Sequence, residues 1–191
     1  MATRVGLDRE MVVRTAAELA DSKGLEEVSL ATLAARLGVR SPTLYHYVDG
    51  LAGLRRELAL LGTRELGQRL GRAVMGKAGD EAVRALASAY RVFVNEHPGL
   101  YAATVHAAEP DDTALQAAQT EVVDIALRSL SAYHLSQEDA IHVVRMLRSL
   151  VHGFATLEHS GGFGIPLDID ETFERLQYVF LQGLSAGNNA T

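Results

Sequence analysis

Between residues 30 and 47, apolar and small side chains recur at offsets that leave the chain little choice of local fold. Leu33, Leu37, Val39, Leu44 and Tyr47 are spaced to meet across two short helices packed at a steep angle. Ala34 falls where those helices approach most closely, and a larger side chain there would push them apart. Gly38 falls in the turn, where a left-handed backbone is cheapest for glycine. Ser41-Pro42 reads as the start of the second helix: serine accepts a hydrogen bond from first-turn amides, and proline at the first helical position gives up only an orphan N–H. All seven packing positions fit a helix-turn-helix, and a segment over 7–23, with Met11, Ala16, Leu19 and Ala20 on one face, is available to brace it. An αα-hairpin used only for packing is the competing reading, and its offsets are looser than these.

The remaining segments also read as helices. Asp8 and Gly24 bound the first, and Ser29 caps the second. Leu54, Leu58, Leu61 and Leu66 fall at helical spacing over 51–71. Beyond a turn at 76–80, Asp80 is expected to cap a helix carrying Val83, Leu86, Tyr90 and Val94, and Pro98 to open a short one reaching about residue 106. Further helices are expected over 113–133, from Ser136 to about residue 159 with a capping box to Asp139, and from a cap at Asp170 until the chain frays at Gly187. The expected architecture is all-α with about nine helices: a DNA-binding-type three-helix unit over 1–50, a connecting helix over 51–78 and a helical bundle over 79–191.

Composition narrows the function. No apolar run approaches the roughly 18 residues a membrane span needs. Arg4, Asp8, Arg9 and Glu10 interrupt what would have to be an export signal's apolar core, and there is no cysteine, so a cytoplasmic location without membrane attachment is expected. The net charge of -6 is unevenly spread. Residues 1–72 hold 11 Lys/Arg against 9 Asp/Glu, whereas 73–191 hold 7 against 15, the asymmetry expected when one end meets phosphate. Residues 71–78 nearly spell a phosphate-binding loop, but Ala78 stands where a hydroxyl would hold magnesium, and the stretch follows a helix instead of a strand. Glu138, His142 and Arg145 share one helical face, and His152 and His159 lie seven residues apart on another; with no compact trio of ligands, neither a metal nor a cofactor is expected. No convergent acid/base or nucleophile set can be assembled, so no enzymatic activity is expected.

The run Leu33-Ala34-Ala35-Arg36-Leu37-Gly38-Val39, followed by Ser41-Pro42-Thr43-Leu44-Tyr45-His46-Tyr47-Val48, closely resembles the DNA-binding domain of TetR-family transcriptional regulators. The resemblance is strong over 7–60 and extends, less specifically, through His97-Pro98-Gly99-Leu100-Tyr101 and Val151-His152-Gly153-Phe154-Ala155-Thr156-Leu157-Glu158. It implies a homodimer, usually a repressor of palindromic operators, whose C-terminal domain binds a small effector that releases double-stranded DNA. It also implies roles. Helix 41–47 would enter the major groove, with Thr43 and His46 facing base edges, and Arg40, Ser41 and Pro42 at its entry. Tyr45 and Tyr47 would meet phosphates, although Tyr45 packing against the first helix is an equal alternative. Ser29 and Thr32 would touch the backbone or a base edge. Where the family often has a phosphate-binding lysine, this chain has Leu51, so Arg55 and Arg56 are candidates to replace it.

An effector cavity is expected among the helices of 80–160, lined by Tyr90, Phe93, Tyr101, His106, Met146 and Phe154, which suits a small apolar or aromatic molecule. The resemblance places the dimer interface on the last two helices, through Leu147, Leu150, Val151, Phe173, Leu176, Phe180 and Leu184. An activator of the same family, or a helical carrier or enzyme with a merely structural hairpin, are the alternatives.

Overall fold

Local capping chemistry sets most helix boundaries. In the computed structural model, which describes residues 7–188, Asp8 accepts the Met11 N–H at 2.8 Å and opens α1 (Arg9–Lys23). A 3-10 turn (Leu25–Glu27) leads to α2 (Leu30–Leu37), where Ser29 and Thr32 cap reciprocally. Then follow α3 (Ser41–Leu44), α4 (Gly50–Val74), α5 (Gly79–Glu96), α6 (Pro98–Ala103), α7 (Thr113–Ser129), a 3-10 turn (Ser131–Tyr133), α8 (Gln137–His159) and α9 (Ile169–Asn188). Among the described residues there is no strand, and the fold is all-helical.

Several boundaries differ from the sequence expectation. Arg40, not Ser41, is the α3 N-cap, and Pro42 follows in the first turn. The α3 helix ends at Leu44, with the chain continuing through residue 47 as turns closed by Tyr47 N–H to the Leu44 carbonyl. Asp80 lies inside the first turn of α5, where its carboxylate accepts the Tyr133 hydroxyl at 2.5 Å. At Ser136, the hydroxyl accepts the Asp139 N–H and donates to the Asp139 carboxylate; aspartate is too short to close the box on the backbone as glutamate does. Asp168, not Asp170, caps α9 by accepting the N–H groups of Asp170 and Glu171. α9 runs past Gly187 to Asn188, and residues 189–191, part of the tail expected to fray, lie outside the described residues.

The chain groups into two units, 1–63 with 97–116, and 64–96 with 117–191. Residues 97–116 group with the helix-turn-helix, where α6 is seated on α1. A Cβ on Gly99 would lie 2.0 Å from the Ala20 carbonyl oxygen, so only glycine permits this approach. Asp21 completes the joint, accepting the Leu100 N–H at 2.7 Å and pairing with His97 Nδ1 at 2.9 Å. In the second unit α5 packs mainly on α8, with α9 against both. Its core includes Leu86, Phe93, Val151, Phe154 and Leu181.

Candidate nucleic-acid interface

The helix-turn-helix closes as its spacing requires. Leu33, Ala34 and Leu44 are buried, and Gly38 takes φ 68° and ψ 28° at the end of α2, the left-handed geometry the turn demands. The Val39 N–H then bonds back to the Ala34 carbonyl at 3.0 Å, which directs the chain into α3. α1 packs on α2, and α2 on α3. Burial of Leu44 and Val48 fixes which side chains face outward: Pro42, Tyr45 and His46 are exposed, and Ser41, Thr43 and Tyr47 half-buried. Tyr45 is 63% exposed, which places it outside the buried core of the unit.

Ser29 and Thr32 are committed to structure. The Ser29 N–H donates to Thr32 Oγ1 at 2.9 Å, the Thr32 N–H donates to Ser29 Oγ at 3.1 Å, and the two hydroxyls lie 3.0 Å apart. They hold the first turn of α2 at the orientation that α3 depends on, a role visible in the Ser-x-x-Thr spacing once the helix start is known.

At the head of α4, Leu51 is partly exposed, and the nearby arginines are already engaged. Arg55 pairs with Glu26 at 3.0 Å. Arg56 holds both oxygens of Asp112 at 2.6 Å and also reaches Glu57 at 2.8 Å. These donations keep the Asp112 carboxyl below its ordinary value and the Arg56 guanidinium above its own. In this conformation both candidate arginines are paired, Arg55 through one exposed glutamate and Arg56 through both oxygens of Asp112. Arg36 and Arg40 are exposed cations flanking the turn, and they make no ion pair among the described residues.

Residues 12–58 match the N-terminal domain of bacterial regulatory proteins of the tetR family, and residues 83–179 match a tetracyclin repressor-like C-terminal domain. The chain is a TetR-family transcriptional regulator. It is 37% identical over 188 residues to YobS, an uncharacterized HTH-type transcriptional regulator of Bacillus subtilis (strain 168), covering 98% of each chain. Among solved structures, a protein of unknown function from Rhodococcus sp. RHA1 shares its fold with a TM-score of 0.81 at 24% identity, over 97% of this chain and 99% of that one. BioQ, solved with its natural double-stranded DNA operator, shares it with a TM-score of 0.67 at 21% identity, over 95% and 99%.

The residues expected to line an effector cavity are divided between the two units. Tyr101, buried, and His106, exposed, belong to the unit of the helix-turn-helix, and α6 ends at Ala103, before His106. Tyr90, Phe93 and Phe154 are buried in the second unit of the regulator, whereas Met146 is 56% exposed. The sequence reading missed Thr63: its side chain is buried, and its hydroxyl has no hydrogen-bond partner. It also missed the cluster around Arg91, whose guanidinium lies 5.2 Å from the Phe154 ring centroid and 4.8 Å from that of Phe173. Neither was legible, because each depends on long-range neighbours.

Of the residues expected at the dimer interface, Leu147, Val151, Phe173 and Leu184 are buried within the single chain. Leu150, Leu176 and Phe180 are half-buried. The apolar side chains left outward on α8 and α9 are Met146, Leu157, Tyr178 and Val179. Met146, Leu150, Gly153 and Leu157 form one stripe at three- and four-residue steps, and a Cβ on Gly153 would meet nothing within its own chain.

Proposed function

We propose that this regulator is a homodimeric repressor that binds palindromic operator DNA through α3 and releases it when a small effector binds the second unit. The observation that carries the reading is the outward set at 40–47. Thr43 and His46 would meet base edges, and Tyr45, Tyr47 and Arg40 phosphates, a reading supported by the exposed Arg40, Tyr45 and His46 and the half-buried Thr43 and Tyr47 around the buried Leu44 and Val48. The operator in the BioQ structure supports the same use of a shared fold. Cytoplasmic residence follows from chromosomal DNA as the target, and among the described residues no helix is long and apolar enough to cross a membrane.

The outward stripe on α8, with Tyr178 and Val179 on α9, supports a symmetric dimer. A second copy would cover these side chains, and Gly153 would allow close helix approach. Two half-sites about 34 Å apart then define the operator spacing. The effector reading is supported by the buried aromatic side chains Tyr90, Phe93 and Phe154 of the second unit, which suit an apolar or aromatic molecule. DNA selection with the purified protein across a salt series tests the whole. A recovered palindrome with steep salt dependence supports the repressor, and weak binding without sequence preference would overturn it.

A further inference from the structure

We infer that a cleft beside Arg91, on the surface of the second unit, is a binding site for a small monocarboxylate with an apolar body. The cleft encloses about 370 Å³, and its walls come from Ser88, Val92 and Asn95 of α5 and from Asp170 and Phe173 of α9, with Arg91 among them.

The case begins with the way Arg91 is held. Its Nε and Nη2 donate to Glu158, the Nε bond being 2.7 Å, and its Nη1 lies 2.8 Å from Asp170. Asn95 Nδ2 also donates to Glu158 at 2.9 Å, and the Phe154 and Phe173 rings flank the guanidinium. The donor fork is therefore fixed before any ligand arrives.

Its two carboxylate partners are unequal. The Glu158 side chain is 17% exposed and receives three hydrogen bonds, so it is a permanent partner. The Asp170 side chain is 80% exposed and reaches the largely buried Arg91 through Nη1 at the cleft, so the carboxylate half of this pair is open to solvent. A ligand carboxylate can take the place of Asp170 on Nη1 one for one. No buried charge is left without a partner, and Asp170 turns into water.

The walls specify the rest of the molecule. Val92 is a large apolar side chain left 45% exposed, and the Phe173 ring lies across the cleft, so an apolar body gains burial between them. Glu96, at the same cleft, is paired with Arg69 at 2.6 Å, which offsets its repulsion of an incoming anion. A neutral molecule gains nothing by displacing Asp170, and a cation meets Arg91.

The test is calorimetric titration of the full-length protein with 4-phenylbutyrate, and with its primary amide and 4-phenylbutylamine as neutral and cationic counterparts. The wild type should bind the carboxylate and neither counterpart. Asp170→Ala should bind it several-fold more tightly, because the internal competitor is gone, and Val92→Glu should abolish binding at an exposed position that leaves the fold intact. No binding to either the wild type or Asp170→Ala would overturn the site. So would equal binding of the amide or the amine, or undiminished binding to Val92→Glu. DNA release is measured separately. Carboxylate binding without release supports the site and removes only its identity with the effector site of the proposed function.

Discussion

In the proposed DNA complex, the side chain at the head of α4 that would face phosphate is Leu51. Leu51 is partly exposed and uncharged, and the neighbouring Arg55 and Arg56 are held by Glu26, Glu57 and Asp112. Leu51→Lys should therefore raise operator affinity at low salt and steepen the slope of log K against log salt by about 0.9, one added phosphate contact. Fluorescence anisotropy across a salt series reads both. Thr43→Ala combined with His46→Ala should remove sequence-specific binding while thermal unfolding and oligomeric state stay unchanged, since neither side chain is part of the buried core. Gly99→Ala acts through packing. The added methyl would collide with the backbone of α1 at Ala20, so the variant should lose about 3 kcal/mol in urea unfolding. Gly38 was legible from sequence because its turn is local. Gly99 was not, because its partner lies in α1.

At the scale of elements, the ends of helices were read within a residue or two wherever the capping group is adjacent in sequence, as at Asp8 and Ser29. They were misread where two carboxylates lie close together. Asp168 stands just before the first helical residue and accepts the Asp170 and Glu171 N–H groups, whereas Asp170 already lies inside α9 and pairs with Arg91. Asp168→Ala should cost about 1 kcal/mol, measured by chemical denaturation, as loss of a helix cap does. Asp170→Ala should cost less, since the carboxylate it removes is open to solvent. The shortness of α3 has the same kind of cause: after Leu44 the chain turns so that Val48 is buried, and the helical pattern to Tyr47 gives way.

For the whole molecule, two tertiary pairings set opposite ends of the pH range. Donation from Arg91 holds the Glu158 carboxyl below its ordinary 4.5, against the opposing pull of burial. The stability it confers is present above that value and is lost as pH falls through the lowered one. Burial, then the hydrogen bond to Asp80, raises the Tyr133 phenol above its ordinary 10.0. Its contribution is complete below pH 10 and is lost as pH rises through the folded value. Tyr133→Phe should thus flatten the alkaline loss of stability and leave the acid loss unchanged, as melting temperatures across pH would record. At the same scale, Leu157→Glu combined with Val179→Glu should convert a dimer to monomer in sedimentation and weaken operator binding with it, because both side chains lie outside the single chain's core.

Period and punctuation alone determined the all-helical class and the helix-turn-helix, because each rests on contacts within a turn or between adjacent short helices. The apolar pattern of α8 and α9 was equally visible, but it could not say which residues face inward. Leu147, Val151 and Phe173, expected at a dimer interface, are buried within the single chain where α5 packs against α8 and α9. The grouping of α6 with the helix-turn-helix unit, the engagement of Arg56 by Asp112 and the sharing of Arg91 between Glu158 and Asp170 were likewise decided by tertiary structure. Each joins residues far apart in the chain, whose meeting depends on the simultaneous packing of several helices and leaves no periodic trace in any one of them.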